Sequence, residues 1–195
     1  MITLKYLKKH YNIVIFLNIL LIIGIILGLI LGFKQDSIFK TDIVNSLTDL
    51  QNLLLTNRIN NIFYHFLIFI ILVISSFIMP LFFINFIIIL FKGLTIGFSI
   101  YIFALLLGFK GFIISLIYNL VTSGIFCFIY IFLIIRGINL SKNIINFTLT
   151  KDNTYLLAIK NNLIGITLTE GICLIYDCFL FIFSNFLISK FIWLF

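Results

Sequence analysis

Ile59–Phe91 reads INNIFYHFLIFIILVISSFIMPLFFINFIIILF. Between Arg58 and Lys92 there is no Asp, Glu, Lys or Arg. One membrane-spanning helix needs about 20 apolar residues, so this run is too long for one and nearly long enough for two. Pro80 sits inside it and cannot donate a backbone hydrogen bond, so the helix is expected to break there. The stretch is therefore read as a second helix over 62–79, a turn at Pro80 and a third helix over 81–107.

Working outward, the same chemistry recurs. A first apolar run covers 12–33 behind a basic tail of Lys5, Lys8 and Lys9. It resembles a signal peptide, but no small-x-small cleavage site follows and it is long enough to span, so it is read as an uncleaved anchor. A fourth span is predicted over 112–135 after the connection Gly108–Gly111, and a last one over 162–188. The expected fold is an all-α, polytopic transmembrane bundle of about five spans in a single membrane domain covering 1–195. Residues 34–58 would form an external polar segment and 136–160 a cytoplasmic loop.

Composition agrees. The 195 residues are 63% hydrophobic and 10% charged, with mean hydropathy +1.30. A soluble domain carries about 25% charged residues, so this chain could not cover a surface in water. The net charge of +7 is scattered between apolar runs and forms no basic face for a phosphate backbone, which argues against nucleic acid. In a membrane protein such an excess reports topology through Lys and Arg kept in the cytoplasm. Placing the tail and the 136–160 loop inside gives an N-terminus in the cytoplasm and a C-terminus outside. Cys127, Cys173 and Cys178 lie in apolar runs without a CxxC pair and read as small apolar residues. No cofactor, metal site or catalytic motif of the HExxH, GxSxG or P-loop kind is indicated, and the chain is not expected to be an enzyme.

Three groups of residues stand out. Gly24, Gly28 and Gly32 are spaced by four and line one helical face, which lets another backbone approach. In the external segment Ile43, Leu47, Leu50 and Leu54 recur at helical spacing, predicting an amphipathic helix that rests on lipid or docks a partner. The third group is polar at membrane depth. Lys92 is eleven residues past Leu81, about 16 Å along a helix. Glu170 and Asp177 are seven residues apart on one face of the last helix. Thr95 and Ser99 share the face of Lys92, and Asn119 belongs to a polar face of the fourth helix with Ser115 and Thr122. A contact between Lys92 and either acid is geometrically open. These groups glue the helices together, line a path, or reflect shifted span boundaries that leave Lys92 near an interface.

Phe91-Lys92-Gly93-Leu94-Thr95-Ile96-Gly97-Phe98, followed by Leu107-Gly108-Phe109-Lys110-Gly111, resembles the Lys-Gly-x-x-x-Gly-Phe and Gly-x-Lys-Gly pattern of the stage II sporulation protein M family. The layout of spans is similar over the whole chain, and the close match covers 80–111. The chain departs from the family at Val121-Thr122-Ser123-Gly124, where many members have a Pro-polar-polar break, and its last span matches in placement only. The resemblance implies a non-catalytic membrane scaffold for engulfment or cell-wall remodelling. Its implied partners are membrane lipids and extracytoplasmic peptidoglycan hydrolases resembling stage II sporulation proteins D and P, met by the 34–58 segment. The alternative expectation is a small transport or channel component using Lys92, Glu170 and Asp177.

Overall fold

The computed structural model describes residues 10–35 and 50–191, with the side chains of 50–62, 79–80, 106–107 and 181–191 left aside. Every element among these residues is helical. In chain order they are α1 (Tyr11–Phe33), α2 (Leu50–Phe77), a 3-10 turn (Met79–Phe82), α3 (Phe83–Asn119), a π-turn (Leu120–Gly124), α4 (Ile125–Thr150) and α5 (Asn153–Phe191). Among the described residues, four stretches are long and apolar enough to cross a membrane: Tyr11–Phe33, Phe83–Leu105, Gly108–Thr150 and Asn153–Leu180. The apolar part of α2, Phe63–Phe77, is shorter. The chain is a membrane protein built as an all-α bundle.

Contacts fix the direction of each helix. Ser99 and Asn119 are joined by a 2.8 Å hydrogen bond although a straight helix would hold them about 30 Å apart. The chain therefore reverses between them, at Gly108, whose φ of 60° and ψ of −141° interrupt α3. Such a backbone suits glycine because it lacks a Cβ. Asn85 meets Ser75 across the Pro80 turn, so α2 and the first arm of α3 are antiparallel. His65 stacks on Phe126 and Ser76 lies against Gly137, so α2 and α4 run parallel. Tyr176 hydrogen-bonds the Val121 carbonyl and Gly165 lies against Arg136, so α5 runs antiparallel to the limb before it. The Pro80 turn and the Lys151–Asp152 corner thus lie at one end of the bundle. The Gly108 turn and the exit of α1 lie at the other.

The tightest packing joins α1 to the first arm of α3, which run parallel. Phe16 meets Phe86, Gly24 meets Gly93, and Phe33 meets Tyr101, a register offset near seventy throughout. A Cβ on Gly24 would stand 3.0 Å from the Gly93 Cα, and one on Gly97 would stand 3.0 Å from the Ile25 Cα. Lipid tails are as apolar as these side chains, so such an interface gains from close van der Waals contact and not from water release. The far side of α1 exposes Ile19, Ile22, Ile26 and Ile30, the apolar face that hydrocarbon would cover. The core proper centres on α4, where Ile134, Ile135 and Leu140 are fully buried beside Leu17, Leu72 and Ile166.

Two expected boundaries are corrected. The 136–160 stretch is not a loop: α4 runs unbroken to Thr150, only Lys151 and Asp152 intervene, and α5 starts at Asn153. Its polar residues Asn139, Ser141, Lys142 and Asn143 do not break a helix, and Gly137 is buried where Ser76 and Phe82 leave no room for a methyl group. The corner is made by Lys151 in the left-handed region (φ 54°) and by Asp152, whose carboxylate accepts the Thr154 N–H at 3.0 Å. Residues 34–58 are also not wholly separate from the next span. Leu50 and Leu54 belong to α2, which continues through Arg58 into the apolar run, since no Gly or Pro stops it. Ile43 and Leu47 lie outside the described residues.

Candidate functional site

The polar side chains of the first arm of α3 recur every seven residues: Asn85, Lys92 and Ser99. Residues seven apart drift only about 20° around a helix, so the three form one stripe facing the other helices. Each meets a different partner, and the result is three polar layers along the bundle.

The layer nearest the Pro80 turn is a closed chain of hydrogen bonds. Tyr130 of α4 donates to Asn85 Oδ1 at 2.9 Å, Asn85 Nδ2 donates to Ser75 Oγ at 2.6 Å, and Ser75 donates to the Leu72 carbonyl at 2.9 Å. All three side chains are buried. In the layer nearest the Gly108 turn, Asn119 Nδ2 donates to Ser99 Oγ at 2.8 Å and to the Ser115 carbonyl at 2.9 Å, while Ser99 donates to the Ile96 carbonyl. Both layers satisfy their own donors within the bundle, which low-dielectric surroundings demand.

The middle layer carries charge. His65 of α2, Lys92 of α3 and Asp177 of α5 line up, with Lys92 Nζ 3.5 Å from His65 Nε2 and His65 Nδ1 2.6 Å from Asp177 Oδ2. An ammonium can only donate, so Nε2 accepts and the ring proton sits on Nδ1, donated to the carboxylate. In this tautomer a neutral imidazole transmits the attraction between a cation and an anion that do not touch. Phe126 of α4 forms the floor: its ring stacks on His65 at 3.9 Å and lies 4.8 Å below Lys92 Nζ. An aromatic face favours a cation placed over it. The layer is neutral as a set, which is what burial at this depth requires.

Beside it on α5 are two further groups. Cys173 is buried, and its Sγ lies with one nitrogen of His65 and one oxygen of Asp177 in a set of atoms all within 4.8 Å of one another. Glu170 is only 6% exposed, and its Oε1 has no hydrogen-bond partner among the described residues. Positions 170, 173 and 177 follow the spacing that puts residues on one helical face.

The sequence expectations are thus rearranged. Lys92 does not touch Glu170 or Asp177 directly; it reaches Asp177 through His65. Ser99 and Asn119 pair, whereas Thr95 faces outward with its hydroxyl folded onto the Lys92 carbonyl. Gly24, Gly28, Gly93 and Gly97 meet in one interface, and Gly32 is closed by the Tyr101 ring. The sequence does not single out His65, Asn85 or Tyr130, and Cys173, which reads there as a small apolar residue, sits beside His65 and Asp177. The heptad Asn85–Lys92–Ser99 was the available signal for Asn85. Nothing in spacing singles out His65, because its partners come from other helices. Arg136 was placed at the start of a loop, yet its guanidinium lies against Gly165 and 4.9 Å from the Phe132 ring centre, within α4 and α5 packing.

The Val121-Thr122-Ser123-Gly124 segment forms the π-turn before α4, one residue wider than an α-turn. It is also where Val121 supplies the carbonyl to Tyr176. Comparison with family models, with curated proteins and with solved structures finds no match to this chain.

Proposed function

We propose that the chain is a non-catalytic, multi-pass scaffold of a bacterial cell membrane, resembling stage II sporulation protein M, that holds peptidoglycan hydrolases in place for engulfment or wall remodelling. The observation that supports this reading is the use to which the signature residues are put. Gly93 and Gly97 are occupied by the backbone of α1, and Lys92 by His65. Gly108 makes the chain reversal. All of them serve to hold helices together in one arrangement, as a platform for a partner requires. The N-terminus and the Lys151–Asp152 corner face the cytoplasm in this reading. The 34–58 segment and the C-terminus face outward, where hydrolases resembling stage II sporulation proteins D and P would be met.

One observation favours a second reading, a small transport component: the unpartnered Glu170 oxygen within a charged layer. A single pair of measurements separates the two. The scaffold reading predicts that the tagged chain, extracted in mild detergent, brings down exported cell-wall hydrolases, and that vesicles containing it show no ion or solute flux above empty ones. Flux from the vesicles with no hydrolase recovered would replace the first reading with the second.

A further inference from the structure

The middle layer accounts for Lys92, His65 and Asp177 but leaves two buried groups on the same face of α5 unexplained. Cys173 is 1% exposed, and the Glu170 carboxyl has an oxygen with no partner among the described residues. Helix glue needs neither a thiol nor an unsatisfied carboxyl, and an orphaned polar atom is costly in an apolar interior. We propose that His65, Glu170, Cys173 and Asp177 form a binding site for one divalent transition-metal ion of the zinc class, stapling α2 to α5 inside the bundle.

The ligand atoms of His65, Cys173 and Asp177 already lie within 4.8 Å of one another. Bonds of about 2.0–2.3 Å from a central ion put tetrahedral ligand atoms roughly 3.3–3.8 Å apart, so three corners are completed by opening the 2.6 Å His65 Nδ1–Asp177 Oδ2 contact and drawing in the more distant pairs. Glu170, one turn before Cys173 on the same face of α5, is the fourth ligand in this proposal. A set of one imidazole, one thiolate and two carboxylates selects a borderline ion over Mg²⁺ or Ca²⁺, which prefer oxygen alone.

Charge closes as well: two carboxylates, one thiolate and Lys92 around a divalent ion sum to zero, so the occupied site buries no net charge. The imidazole coordinates through Nδ1 and carries its proton on Nε2, giving up its 2.6 Å hydrogen bond to Asp177, whose carboxylate the ion then holds, and its 3.5 Å contact to Lys92.

The full-length chain is purified in detergent on a tag without histidine, stripped with chelator, reloaded with Zn²⁺ and washed. Metal content and X-ray absorption at the zinc edge are then measured. The site predicts one zinc per chain, with one sulfur at about 2.3 Å and the remaining scatterers nitrogen or oxygen at about 2.0–2.2 Å. Substoichiometric zinc, or a shell of nitrogen and oxygen without sulfur, overturns the proposal using the unmodified protein alone. Among variants, Cys173→Ser removes the sulfur scatterer while Cys127→Ser and Cys178→Ser keep it, and Glu170→Gln weakens zinc binding by ~10-fold or more. A sulfur that survives Cys173→Ser and vanishes with another cysteine overturns the assignment equally.

Discussion

Gly24 of α1 and Gly93 of α3 lie so close that a methyl group on either would stand 3.0 Å from the Cα of the other. Because the two helices run parallel, with Gly28 and Gly97 continuing the contact, α1 is not an isolated anchor but part of the bundle wall.

This closeness makes the glycines unequal. Gly97→Ala would press its methyl group into the Ile25 backbone, an overpacking that costs about 1–3 kcal/mol. A Cβ at Gly171 meets nothing within 4 Å, so Gly171→Ala should be neutral or stabilising by up to about 1 kcal/mol through helix propensity. Thermal unfolding of the two variants in detergent checks the contrast, and equal midpoints would contradict the packing described.

The charged layer predicts a specific rescue. Lys92→Glu sets a second carboxylate facing His65 and Asp177, so protein abundance in the membrane should fall sharply. Adding Asp177→Lys restores opposite charges at the two ends of the imidazole and should recover part of it. His65→Phe keeps the stacking on Phe126 but separates Lys92 from Asp177, and breaking a buried pair costs about 3–5 kcal/mol. Normal accumulation of both Lys92→Glu and His65→Phe would show that the layer contributes little.

At the α4–α5 corner, Lys151 holds a left-handed conformation that favours glycine. Lys151→Gly should stabilise the protein by about 1 kcal/mol, and Lys151→Val should destabilise it. The same thermal measurement reads both, and a loss on Lys151→Gly would mean that the lysine side chain matters more than its backbone.

Much of this architecture was legible in the sequence because hydrophobic run length and breakers carry it. Pro80 marked one reversal and Gly108 another, and the four-residue glycine spacing marked the face of α1. What the chain's own pattern could not show is which stripe meets which. Lys92 has acids two helices away at plausible depth, but the residue that connects it to Asp177 is His65, whose neighbours in sequence, Tyr64 and Phe66, point to no partner. The 136–160 stretch misled for a different reason. Polarity there reads as a loop signal, whereas a helix ends only where backbone geometry or capping ends it, at Lys151 and Asp152.

The sidedness of the proposal has its own test. Cysteine introduced at Ser46, in a background lacking the native cysteines, should react with a membrane-impermeant thiol reagent in intact cells. One at Asn143 should react only after lysis. Reaction of both from one side would contradict the placement of the two bundle ends on opposite sides of the membrane.

The central claim, that the outward segment holds a cell-wall hydrolase, is tested most directly by a photo-crosslinking amino acid placed at Leu47 in the full chain in living cells. The account predicts a crosslinked species containing an exported peptidoglycan hydrolase, lost when Ile43→Asp is added, while the amount of chain in the membrane is unchanged. Crosslinks to lipid alone, unaffected by Ile43→Asp, would contradict it.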